Sequence, residues 1–130
     1  MQNEIVAHND LKIRVQEGFF DTTESNELLQ TLIETLPWES MKIRMFGREV
    51  MIPRLQCWIG DDGCEYSYSG KQLYRQPWTS EILMIKKQIL EKTNLEFNSV
   101  LVNYYRDGQD SMGWHADDEK ELGKNPTIAA

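Results

Sequence analysis

The chain is short of cysteine, of histidine and of long apolar runs. It has two cysteines, Cys57 and Cys64. They do not form a CxxC pair, and two thiolates cannot build a four-ligand zinc site. They read as reduced thiols in a reducing compartment. No apolar stretch approaches the ~18 residues of a membrane helix. Met1 to Asp10 is polar and lacks the apolar core of a signal peptide. The expectation is a cytoplasmic protein, nuclear if the source is eukaryotic, with no membrane association. Basic residues are also scarce, 14 against 21 acidic, for a net charge of −7. That balance argues against nonspecific phosphate binding, unless the cations cluster locally. Repeats and low-complexity tracts are absent.

What is present is globular: 40% hydrophobic and 10% aromatic residues in 130 positions, room for one domain. Leu11 to Val15 alternates apolar and charged residues, as a half-buried strand does. Asp21 and Thr22 offer caps for a helix carrying Leu28, Leu29, Leu32, Ile33 and Leu36, which Pro37 ends. A second helix is predicted from Thr79 to about Thr93, with Ile82, Ile85 and Ile89 in its apolar stripe. Between the helices, Lys42 to Met45 and Arg48 to Ile52 flank Phe46-Gly47 as a tight hairpin. Leu55 to Ile59 and Glu65 to Tyr68 are further strands, parted by the Gly60-Asp61-Asp62-Gly63 turn. Phe97 to Tyr105 is a β-rich run, and after the turn Arg106 to Asp110 a short strand is expected to reach His115. Pro126 to Ala130 reads as the opening of another strand, so a longer parent polypeptide is expected. The order implies an α+β fold.

The strongest local chemistry lies in Trp114-His115-Ala116-Asp117-Asp118-Glu119. In a strand, His115 and Asp117 point to one face, where an imidazole nitrogen and a carboxylate can share a metal. A His-x-Asp pair plus a distant histidine makes a facial triad that leaves octahedral iron(II) three open positions. The tripeptide alone also occurs in hydrolase metal sites and in turns. Asn103 and Tyr105, two apart on the preceding strand, face one way. Their amide and phenol want a polar partner such as a bound carboxylate, or else sit at a strand end and the surface.

The run Asn103-x-Tyr105-x-x-Gly108-x-Asp110 followed by His115-x-Asp117-Asp118-Glu119 resembles the nucleic-acid demethylases of the AlkB superfamily. So do Pro53-Arg54-Leu55-Gln56 and Tyr66-Ser67-Tyr68-Ser69-Gly70, and the likeness runs from about Phe19 onward, in the branch of AlkB homologues 2 and 3. The resemblance implies a double-stranded β-helix (jelly-roll) core, incomplete in residues 1–130, with N-terminal helices and a nucleotide-recognition hairpin, all one domain. It implies an iron(II)- and 2-oxoglutarate-dependent dioxygenase that repairs 1-methyladenine and 3-methylcytosine in DNA. By it, His115 and Asp117 are iron ligands and Asn103 and Tyr105 contact 2-oxoglutarate. Tyr66, Tyr68, Ser69, Asp118 and Glu119 fall in the base pocket, where a tyrosine face can stack on a flipped base.

Phe46, with Gly47 and Arg48, falls where the double-strand-active branch carries an aromatic wedge that fills the gap left by that base. The alternative is that Phe46 folds back onto the core. Arg54 suits a phosphate or a polar pocket, and Lys42, Arg44, Arg48 and Arg54 give the hairpin a basic cluster. The family pattern goes on to a second histidine ligand and arginines for the far carboxylate of 2-oxoglutarate, which residues 1–130 do not contain. His8, outside any matching motif, is a poor substitute. A monomer is expected, and the 130 residues alone are expected to be inert. The rivals are an RNA demethylase of the same family and a catalytically inert nucleic-acid-binding fragment.

Overall fold

The computed structural model describes residues 3–68, 70–115 and 119–130, with Tyr68 described by its backbone alone. The chain divides into two compact units, Met1–Thr35 and Leu36–Ala130.

The first unit is a hairpin followed by a helix. Strands β1 (Asn3–His8) and β2 (Leu11–Gln16) pair antiparallel, with Val6 opposite Ile13 and His8 opposite Leu11. The sequence reading found β2 and missed β1. Asn9 makes the reversal at a positive φ of 53°, a conformation asparagine tolerates better than most residues. Helix α1 (Thr22–Thr35) starts as predicted. The Asp21 carboxylate accepts from the Glu24 amide at 2.8 Å, which satisfies an orphan N–H of the first turn and holds the Asp21 pKa below its ordinary value.

The second unit holds the remaining strands around a small core. Strands β3 (Lys42–Met45) and β4 (Arg48–Met51) form the expected hairpin. Its tip residues, Phe46 and Gly47, both take positive φ, 51° and 75°. That is the signature of the type I′ turn, whose twist matches the flanking strands. A three-stranded sheet runs β8-β5-β9. In it β5 (Leu55–Gly60) pairs antiparallel with β9 (Ser99–Tyr104) and parallel with the two-residue β8 (Arg75–Gln76). Strands β6 (Ser67–Tyr68) and β7 (Lys71–Gln72) make a short ribbon. Helix α2 (Ser80–Thr93) is capped by the Thr79 hydroxyl, which accepts from Ile82 N, and ends at Asn94 in the left-handed region at φ 59°.

Trp58 of β5 is the centre of the core, with Met41, Ile52, Tyr66 and Leu73 around it and Ile43, Leu101, Met112 and Leu122 closing its rim. The indole stacks on Tyr66 with centroids 4.6 Å apart, and its Nε1 donates to the Cys64 carbonyl at 2.7 Å. One apolar anchor therefore has both its face and its polar handle occupied.

Two expected strands are absent. The segment after β9 runs to His115 without forming a strand. Arg106 folds it into a turn by donating to Asp110 from its backbone N and from Nε and Nη2, and this clasp competes with strand pairing. Pro126 to Ala130 is also irregular, with no strand paired to it among the described residues.

Candidate functional site

One face of the β5–β9 pair carries the polar groups that the sequence singled out. Gln56 lies opposite Asn103, and Trp58 opposite Leu101. Alternation puts Gln56 and Trp58 on the same side as Leu101 and Asn103. Tyr105 lies one residue past β9, and its hydroxyl receives a hydrogen bond from Arg54 Nη1 at 3.2 Å. Arg54 is buried, as is Gln56. Of the two roles considered for Arg54, its burial matches the polar pocket and not a surface grip on phosphate.

Sequence reasoning missed Gln56. With its carbonyl oxygen turned to the guanidinium, Gln56 accepts from Arg54 Nε at 2.9 Å and Nη2 at 2.7 Å. The signal was available: Gln56 is the single polar residue inside Leu55-Gln56-Cys57-Trp58-Ile59. A polar side chain in a buried strand needs a partner. The clasp of Arg106 on Asp110 was missed as well. It holds the loop directly after Tyr105, lowers the Asp110 pKa through the hydrogen bonds and raises that of Arg106.

The aromatic part of the site adjoins the core. Tyr66 is 5% exposed with its ring packed on Trp58. The expectation of an open tyrosine face for base stacking is thus not met at Tyr66. What it offers instead is its hydroxyl, which donates to Glu119 Oε1 at 2.7 Å. The other oxygen, Glu119 Oε2, is buried with no hydrogen-bond partner among the described residues. Ser69, Asp117 and Asp118 lie outside the described residues, and Tyr68 contributes only its place in β6.

His115 is exposed and not in a strand, so the strand argument for a shared His115–Asp117 face does not apply. Its ring is nevertheless oriented. Nδ1 lies 2.8 Å from the Gly113 carbonyl oxygen. A carbonyl only accepts, so Nδ1 carries the proton and, in the neutral ring, Nε2 keeps the lone pair that a metal requires. That tautomer fits iron(II). Among the described residues no group of three His, Cys, Asp or Glu could hold a metal.

Phe46 at the β3–β4 tip is 98% exposed and does not fold back onto the core. Lys42, Arg44 and Arg48 of the same hairpin are exposed.

The family profile described as the 2OG-Fe(II) oxygenase superfamily matches residues 12–130. The chain belongs to the 2OG-Fe(II) oxygenase superfamily. Within this superfamily its likeness is to the AlkB branch. It is 38% identical over 123 residues to the alpha-ketoglutarate-dependent dioxygenase alkB homolog 3 of Rattus norvegicus, covering 92% of this chain and 40% of that protein. It is 35% identical over 114 residues to the DNA oxidative demethylase ALKBH2 of Homo sapiens, covering 85% of this chain and 44% of that protein. The Arabidopsis thaliana ALKBH2 is 33% identical over 131 residues, covering 96% and 41%. The oxygenase chain thus spans about two fifths of the length of these curated relatives. No helix among its described residues is long and apolar enough to cross a membrane.

Proposed function

We propose that the protein serves an oxygenase that oxidatively removes alkyl groups from N-alkylated bases in DNA, with 1-methyladenine and 3-methylcytosine as its lesions. Both structural units are read as parts of one oxygenase domain, because the family match runs through both. The sheet β8-β5-β9 is read as part of a jelly-roll core.

The single observation that carries the nucleic-acid substrate is Phe46. A phenylalanine at a left-handed turn position and 98% exposed is unfavourable twice over. A wedge that enters a base stack gives both features a use. Inserting an aromatic where a base has been flipped offsets part of an unstacking cost of a few kcal/mol. Gly47 lets the turn close, and Arg48 lies beside it for the backbone.

The His115 Nε2 and Asp117 are the proposed holders of iron(II), with Asn103 and Tyr105 holding 2-oxoglutarate. When bound, that pair with dioxygen supplies the oxidant that hydroxylates the N-methyl carbon, giving succinate, carbon dioxide and a hydroxymethyl base that releases formaldehyde. The protein's own residues position and exclude water. Tyr66 holds Glu119 at the edge of the proposed pocket. Tyr68, Ser69 and Asp118 complete the pocket in this proposal.

The test is Phe46→Ala in the full-length protein, assayed on 1-methyladenine in duplex and single-stranded oligonucleotides. A loss of about tenfold or more on duplex with little change on single strands is expected, since only the duplex needs a wedge. Equal losses on both would remove the wedge and favour a single-stranded DNA or RNA substrate. Binding of the methylated strand with no turnover under iron(II), 2-oxoglutarate and dioxygen would reduce the protein to a binding module.

A further inference from the structure

Arg54 is a permanent cation, yet it is 4% exposed. Burying it requires polar partners that hold it in place. The oxygen of Gln56, itself 1% exposed, accepts from one edge of the guanidinium, Nε at 2.9 Å and Nη2 at 2.7 Å. That bifurcated contact fixes the orientation of the group. Nη1 is aimed at the Tyr105 hydroxyl at 3.2 Å. Arginine has no lone pair to offer, so the phenol oxygen must accept in this contact. A phenol has one proton. With its oxygen receiving Nη1, that O–H is turned away from the guanidinium. Tyr105 is 45% exposed, so its other side is open to a ligand. Asn103, on the same face and opposite Gln56, borders the same space.

We infer that Arg54, clamped by Gln56, is a positioning residue that sets the Tyr105 hydroxyl as a donor toward a carboxylate of the bound oxoacid. The inference rests on the proposal that Asn103 and Tyr105 contact 2-oxoglutarate, and it adds what aims them. A carboxylate only accepts, so the phenol must meet it as donor. The guanidinium turns that O–H away from itself and places a positive charge behind the hydroxyl, which strengthens its donation in a partly buried setting. In this inference Arg54 acts on the oxoacid through the Tyr105 oxygen.

The Arg54–Tyr105 contact makes the inference testable by a double-mutant cycle on binding alone. Isothermal titration of 2-oxoglutarate, with manganese(II) as a redox-silent metal, would be run on the full-length protein, Y105F, R54M and the R54M/Y105F pair. Y105F is expected to weaken binding about tenfold, the effect of one hydrogen bond to a charged group. R54M is expected to weaken it by a similar factor, and the pair by no more than the larger single loss, because both changes remove the same interaction. A purely structural role for Arg54 would instead multiply the two losses, which would overturn the inference. So would wild-type affinity in R54M beside a weakened Y105F. Unchanged affinity in Y105F would overturn the reading of Tyr105 itself, and the inference with it. Methionine is chosen because it fills the arginine stem without leaving a buried charge unpaired. If R54M does not fold by circular dichroism, Q56L carries the test. It is expected to weaken binding when Tyr105 is present and to change nothing in the Y105F background. An equal loss in both backgrounds would overturn the inference.

Discussion

At the scale of single residues, the two cysteines show how position decides chemistry. Cys57 has no exposed surface. Burial, and then the negative charge of Glu39, push its thiol from an ordinary 9.0 up to about 11. Cys64 is only half-buried. Iodoacetamide at pH 8 is therefore expected to alkylate Cys64 in the native protein and to spare Cys57 until denaturant is added; alkylation of both without denaturant would contradict the placement. The same shift links to stability. The unfolded chain ionises this thiol near 9.0 while the fold keeps it protonated to about 11. Its contribution is complete below the lower value and is lost as pH rises through the upper one, at about 1.4 kcal/mol per pH unit. Urea midpoints measured across that window should fall for the native sequence and stay flatter for C57A. Tyr66 separates packing from polarity in a similar way. Y66A opens a hole beside Trp58 and should cost about 3–5 kcal/mol by urea unfolding. Y66F keeps the stack and loses the hydroxyl's hydrogen bond to Glu119, for about 1.5–3 kcal/mol. Equal costs for the two would mean that the stack contributes nothing.

Among elements, the β3–β4 hairpin sets local preference against use. Its tip places Phe46 at φ 51°, where asparagine followed by glycine is the favoured pair. F46N is therefore expected to raise stability by about 0.5–1 kcal/mol while lowering activity on duplex substrate. An F46N variant less stable than the parent would show that Phe46 packs against something, contrary to its exposure. This hairpin, α1, α2, β5 and β9 were legible in the sequence because each has its own signal. Phe-Gly between alternating strands, Asp21 as a cap, the apolar stripe from Ile82 to Ile89, and the apolar run around Trp58 are all local. What was not legible depends on distant partners. β1 has only Ile5-Val6-Ala7 between polar residues and becomes a strand by pairing with β2. β8 is two residues long and exists because Trp58 and Ile59 offer a parallel edge. The strand predicted up to His115 gives way to the Arg106–Asp110 clasp, a side-chain event that alternation patterns cannot register. At the candidate site the same division holds. Asn103 and Tyr105 stood out in the sequence as polar residues at the end of an apolar run, whereas Gln56 as the clamp of Arg54 required the three-dimensional structure.

Over the whole molecule the question is how a chain of net charge −7 could approach a polyanion. Acidic residues are spread widely: Glu24, Glu27 and Glu34 lie on α1, and Glu81 and Glu91 on α2. The β3–β4 hairpin reverses the balance, with Lys42, Arg44 and Arg48 against Glu49 alone. All three cations are exposed, and they share the hairpin with Phe46. An acidic chain disfavours indiscriminate binding, and the basic β3–β4 hairpin is the proposed place where phosphates are met. Each arginine that contacts a phosphate releases condensed counterions and adds about 0.9 to the slope of log affinity against log salt. R44Q/R48Q in the full-length protein is thus expected to weaken binding of a methylated duplex and to flatten that slope by about 2. Because both side chains are exposed, unfolding should shift by no more than about 0.5 kcal/mol for each. Weakened binding with an unaltered slope would mean that neither arginine meets a phosphate. The nucleic-acid face would then have to be sought away from this hairpin, and the exposure of Phe46 would need another cause.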